Sequence, residues 1–142
     1  MRHIGLALGL TLCGSAALVA QAPAPAAANT QPAVVTGDRD TPLRPVAGGG
    51  NVGISNAVLR DQPEVRALRV VVAPRGTRVV HAHADVKFHL FIPITGAMQL
   101  DLEGAPPVTV APWHPYYMKA GTRHGFRNAG PSPVEIMEVF IK

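Results

Sequence analysis

The sequence predicts an all-β domain, a sandwich, jelly roll or barrel, on three observations. Segments rich in β-branched residues recur at short, regular spacing. Glycine and proline together make up about a fifth of the 142 residues, too many chain breakers for a helical bundle. No stretch keeps a helical period over three turns, and frequent turns between short strands are the mark of the layered or closed antiparallel architectures.

The chain opens on Arg2, an apolar run from Ile4 to Leu12 and small residues up to Ala20. A basic start, a short apolar core and a small residue before Gln21 predict a cleaved export signal over 1–20, which places the mature protein in the periplasm or outside the cell. The run is too short to leave a stable membrane span after processing. Cys13, the only cysteine, lies inside this signal, and bulky Leu12 before it disfavours lipidation. A mature chain without thiols excludes disulfides, thiolate catalysis and cysteine metal ligation. Residues 21–50 carry Pro23, Pro25, Pro32, Pro42, Pro45 and the run Gly48-Gly49-Gly50. With few large apolar side chains to offset its ordering entropy, this stretch is expected to be a flexible tether, Val34-Val35 adding an edge strand. The folded domain is expected over 51–142.

Within it, strands are expected at 54–60, 65–72 and 78–83, broken by Pro63 and by Pro74-Arg75-Gly76. The series continues at 88–95, 97–103, 108–110, 115–118, 124–128 and 134–141, with turns at Gly96, Gly104-Ala105-Pro106-Pro107, Gly121 and Gly130-Pro131. Glu135 and Glu138 fall on opposite faces of the last strand, and parity alone leaves open which points inward.

Lys+Arg 13 against Asp+Glu 9 gives a net charge of +4. The basic residues are scattered, with no run able to track a phosphate backbone, so nucleic acid is excluded as a partner. Five of the six histidines, His81, His83, His89, His114 and His124, fall within 44 residues. His81 and His83 sit two apart in an expected strand, so both imidazoles share a face and form a bidentate metal platform. His124 heads a later strand, sharing a face with Phe126 and Asn128. His114 stands between Trp113 and Pro115 in an expected turn and is assigned to the surface.

These residues resemble the cupin family. His81-x-His83 with Gly96 is similar to the family's first motif, and Gly121-x-x-His124-x-x-x-Asn128 before Gly130-Pro131 is similar to its second. Four residues separate Gly76 from His81, one fewer than the family pattern, and counting back from Gly96 puts His89 where the family has glutamate. Trp113 stands where a turn glycine is expected and Lys119 where proline is expected. The resemblance covers about 65–140. It implies a jelly roll, a double-stranded β-helix barrel, with His81, His83, His89 and His124 as metal ligands.

Four neutral imidazoles suit Fe, Cu, Ni, Co, Zn or Mn and would leave a divalent ion its full charge, whereas Mg and Ca want oxygen. Such a centre in a greasy barrel, near Phe91, Met98 and Phe126, is expected to attract a small anionic chelating ligand. The resemblance implies a dioxygenase-like reaction. Proton transfer then falls to the substrate, to Lys87 or Asp85, or to a glutamate of the last strand such as Glu138. Three other expectations stand beside it: a non-catalytic module binding sugar or metal, an isomerase or lyase using the same metal, and an empty barrel serving a homodimer.

Overall fold

A computed structural model describes residues 37–142. The expected export signal, the tether as far as residue 36, Cys13 and the Val34-Val35 strand lie outside the described residues. Nine strands follow, with no helix among the described residues: β1 Arg44–Pro45, β2 Val52–Asp61, β3 Val65–His81, β4 Phe88–Pro93, β5 Met98–Leu102, β6 Val108–Val110, β7 Tyr116–Lys119, β8 His124–Arg127 and β9 Val134–Ile141. The backbone hydrogen bonds run in the order β6-β5-β8-β3-β9-β4-β7, with β2 added to β3 and β1 to β2. All pairs are antiparallel, and the sheet curls into the nearly closed jelly-roll barrel expected for the sequence.

The core follows from alternation. Along β9, Val134, Ile136, Glu138 and Phe140 are buried while the residues between them are not. Along β4 the buried set is His89, Phe91 and Pro93. Leu68, Val70 and Val72 extend the same inner face on β3 and meet Phe91, Met98, Leu100 and Phe126 inside the barrel. Each fully buried side chain of this kind contributes about 1.5–3 kcal/mol through removal of apolar surface from water.

Two expectations about elements need correction. Pro74-Arg75-Gly76 does not end a strand. It bends one, because Arg75 takes a left-handed φ of 61° within a continuous β3. Before the bend β3 pairs with β9 from Val65 to Val72, and after it with β8 from Thr77 to His81. A β-rich pattern with a local left-handed residue reads as two strands in sequence, although the ladder merely changes partner. The second correction concerns the stretch before residue 51. Arg44–Pro45 pair with Asn56 and Ser55, and Val46 packs against the core, so this part of the expected tether belongs to the barrel.

The bend is clasped by Asn128. Its buried Nδ2 donates to the carbonyls of Val72, Ala73 and Ser132 at 3.1, 3.2 and 2.8 Å, while its Oδ1 accepts from Gly130 N at 2.9 Å. Its backbone joins in, accepting from Arg75 N and donating to Gly76 O, both at 3.0 Å. Trp113, with φ 63°, holds the left-handed conformation that a glycine would take at that position.

Candidate metal centre

His81 closes β3 and His124 opens β8, and the two are direct cross-strand partners. Their approach depends on Gly125. A Cβ there would lie 2.6 Å from Arg78 O and 3.1 Å from Val80 N, so only glycine lets β8 come this close to β3. The ring centroids of His81 and His124 are 4.6 Å apart.

His83 reaches the cluster by another route than expected. β3 ends at His81, so the two histidines do not share a strand face, and His83 sits at the start of the connection to β4. Gly121, at φ 73°, donates its N–H to His83 O at 2.9 Å and pins that connection. The outcome is a His81–His83 pair whose Nε2 atoms are 3.1 Å apart. Two nitrogens bound about 2.1 Å from one ion at a right angle would be about 3.0 Å apart, and about 3.4 Å in a tetrahedron.

The same backbone device orients His81 and His124. His81 Nδ1–H donates to Val79 O, and His124 Nδ1–H donates to Thr122 O, each at 2.9 Å and each two residues upstream. Occupying Nδ1 with the proton leaves Nε2 as the free lone pair. His124 Nε2 is buried and has no hydrogen-bond partner. An orphaned acceptor of this kind is costly unless a ligand completes it, and the candidate nitrogens of His81, His83 and His124 all lie within 4.8 Å of one another. The donor set and the orphaned nitrogen therefore fit a divalent transition ion.

His89 stands against this triad without belonging to its closest set. Its ring lies 5.1 Å from that of His124 and 5.3 Å from that of His83, and it stacks on Phe140 at 4.3 Å. The register explains both its neighbours. His89 is directly opposite Phe140 on β9, which makes Glu138 its diagonal neighbour on the inner face. His89 Nε2 lies 3.5 Å from Glu138 Oε1, beyond hydrogen-bonding distance, and both His89 nitrogens are buried without partners.

Electrostatics keeps the cluster neutral. Burial, reinforced by the neighbouring His124, holds His81 and His83 down to about 4. Burial followed by repulsion from His124, His83 and His81 takes His89 to about 2, and burial also lowers His124. Burial pushes the Glu138 carboxyl up to about 7, with Arg78 and Arg66 opposing the shift. Imidazole must be neutral to ligate, so this environment presents it in the required form near neutral pH.

A cavity of about 230 Å³ opens on His81 and His83, lined also by Asp85, Arg66, Arg78 and Glu138, while His89 and His124 are not on its wall. Of the three sequence candidates for proton transfer, Asp85 and Glu138 line it. Lys87 is exposed and does not. Burial along β9 resolves the two glutamates: Glu138 faces inward with Val134, Ile136 and Phe140, and Glu135 pairs with Arg69 on the outer face. His114 is exposed, its Nδ1 bonded to Pro112 O at 2.9 Å. Phe126 lines the cavity, whereas Phe91 and Met98 are buried in the core away from it. Arg66 and Arg78 were not singled out from the sequence. Arg66 shares parity with Leu68, Val70 and Val72, a signal available without the structure, but Arg78 lies beyond the bend, where strand parity no longer carries over.

A cupin-domain family model matches residues 68–140. No curated protein matches the sequence. Among solved structures, the polyketide cyclase RemF from Streptomyces resistomycificus superposes with TM-score 0.63 at 21% identity, over 72% of this chain and 74% of that one. A predicted oxalate decarboxylase from Thermotoga maritima gives 0.57 at 19%, over 62% and 79%. An oxalate oxidase in complex with the substrate analogue glycolate gives 0.56 at 17%, over 62% and 51%. At these identities the structures share the fold. With the barrel, the spaced histidines and the family match over half its length in agreement, the chain belongs to the cupin family.

Proposed function

We propose that this protein is an exported metal-dependent enzyme, dioxygenase-like, acting on a small anionic chelating substrate. The observation that carries the reading is His124 Nε2, buried and without a hydrogen-bond partner beside the candidate nitrogens of His81 and His83. The triad would hold a divalent transition ion, one of Fe, Cu, Ni, Co, Zn or Mn, with His89 adjacent as an available fourth nitrogen. Such an ion, when bound, supplies a Lewis-acid centre and, for the redox-active metals, electrons for oxygen chemistry. The protein's share is to keep the imidazoles neutral and to orient the substrate within a cavity whose walls include Phe126 and Phe140. The uncharged ligand set leaves the ion's charge uncancelled, which favours an enolate, diketonate, catecholate or carboxylate. Solved cupin neighbours described as an oxalate oxidase and a predicted oxalate decarboxylase support a small oxygen-rich acid.

A second reading, an isomerase or lyase working without oxygen, is favoured by one observation. Glu138 places a carboxylate on the cavity wall with Oε1 unpartnered, where it can take or return a proton. A cyclase among the structural neighbours is consistent with it.

Protein purified without a histidine tag and loaded separately with Fe, Cu or Ni is to be screened against β-diketones, flavonols, catechols and small acids while oxygen uptake is followed, with His124→Ala as the blank. Uptake that requires both substrate and His124 is expected. Chemical change without uptake would replace the oxygenase with the isomerase or lyase, and saturable binding of a ligand recovered unchanged would replace both with a binding module.

A further inference from the structure

The cavity holds a second feature that the metal centre does not account for. Two guanidinium groups, Arg66 and Arg78, line it together with His81 and His83. Both come from β3, on either side of its bend. Three arginines elsewhere on the barrel are engaged, Arg69 with Glu135, Arg123 with Glu103 at 2.7 Å and Arg127 with Gln99 at 2.6 Å, and Arg44 and Arg75 do not line the cavity. Lys142, a third cation on the cavity wall, is held by Asp61 at 2.5 Å and by Gln62 O at 3.0 Å. Arg66 and Arg78 have no such partner among the described residues. Of the two carboxylates that share the cavity, Asp85 and Glu138, neither is in ion-pair contact with Arg66 or Arg78, although both guanidiniums lie near enough to Glu138 to favour its charged form.

We infer that the ligand of this cavity carries two anionic groups, one chelating end directed at the histidine triad and one distal carboxylate held by Arg66 and Arg78. The inference rests on the proposed metal site and specifies its substrate class as a small dianionic acid. The chemistry of the pair supports this over simple attraction to any anion. A guanidinium offers a planar fork that matches both oxygens of a carboxylate, and it remains charged at all relevant pH. Arg78 is half-buried, where a charge-assisted hydrogen bond to a ligand is stronger than in water, while the more exposed Arg66 has lower desolvation to overcome. A monoanion engaging the triad would leave both forks to water.

Lactate and malate provide the test, because both present the same α-hydroxycarboxylate end and malate adds one carboxylate. Their binding to Zn-loaded protein is to be measured by titration calorimetry, with metal content and thermal melting followed in parallel. Malate is expected to bind about tenfold or more tighter than lactate, the scale of one charge-assisted contact. In Arg66→Gln and Arg78→Gln the preference should fall towards unity, malate affinity falling by a larger factor than lactate affinity, with metal stoichiometry unchanged. Arg78→Lys, which keeps the charge and the bulk, should retain only part of it. Equal binding of the two acids by the wild type, binding of neither, or a malate preference that survives both glutamine variants overturns the inference. A malate preference that depends on the arginines, in a protein that turns over nothing, would instead refute the enzymatic reading and leave the dianion site standing.

Discussion

His81 and His83 bring their Nε2 atoms to 3.1 Å although only His81 belongs to a strand. One imidazole is placed by the β3–β8 ladder and the other by a loop pinned at Gly121, so the pair exists only in the folded barrel. Metal that binds this pair and His124 stabilises the native state by linkage. Addition of Zn, Ni or Co is therefore expected to raise the melting temperature, and His83→Ala or His124→Ala should abolish both that rise and stoichiometric binding. Elemental analysis beside a thermal melt checks it, and full occupancy in either variant would remove the site.

His89 separates ligation from packing. Its ring is 1% exposed and stacked on Phe140, so His89→Ala opens a hole in the core. A cost of about 2–4 kcal/mol in unfolding free energy is expected from that cavity. The three remaining histidines should still bind one metal per chain, with weaker affinity. Denaturant unfolding and metal titration on the same variant measure the two effects separately, and complete loss of metal would make His89 indispensable to the centre.

Acid should weaken the metal-free protein. The histidines have folded-state values below their ordinary 6.5, about 4 for His81 and His83 and about 2 for His89. Between those values and 6.5 the unfolded chain binds more protons, so this stabilisation is complete above about 6.5 and is lost as pH falls. Glu138 acts in the opposite sense, since its folded value near 7 exceeds the ordinary 4.5, and its contribution fades as pH rises between the two. Four lowered groups outweigh one raised group, and stability should decline from pH 6.5 towards 4. Urea midpoints across that range test the sign, and the decline should be shallower in a His89→Phe variant.

Asn128 is expected to be among the costliest polar positions. Asn128→Ala removes four side-chain hydrogen bonds and takes the donor from the buried carbonyl of Val72 and the half-buried carbonyl of Ala73 at the bend. A loss of about 3–5 kcal/mol is expected, where an exposed asparagine would cost less than about 0.5 kcal/mol. Asn128→Asp should cost a similar amount, because it replaces the donor Nδ2 with an acceptor facing three carbonyls. Chemical denaturation of both variants distinguishes this clasp from a merely polar filler.

The legible parts of this fold are those that repeat. Short apolar segments between turn residues mark β4, β5 and β9, and the turns at Gly96, Gly104 and Gly130-Pro131 bound them within a residue or two. The histidines were visible because rare side chains fell at motif spacing, and Trp113 with φ 63° shows that a motif's backbone conformation can outlast its glycine. What stayed hidden depends on one residue leaving the β region. Arg75 turns an apparent strand break into a bend, and with it strand parity past Gly76 ceases to apply. For that reason Arg78 is not legible from parity, whereas His83 lies outside a strand because β3 ends at His81, two residues short of the expected 78–83. The inward choice of Glu138 over Glu135 needed the β4–β9 register, which is a long-range property.

The bend in β3 also has a bearing on how the molecule opens. Because one strand is laddered to β9 from Val65 and to β8 as far as His81, and β2 pairs with it on both sides of the bend, loss of its extended backbone releases both halves of the barrel together. Local opening around the histidines is thereby tied to global unfolding, and amide protons at the two ends of β3 should exchange with solvent in a single cooperative class. Occupancy of the histidine triad would then slow exchange as far away as Val65, with no contact between that residue and the ligand.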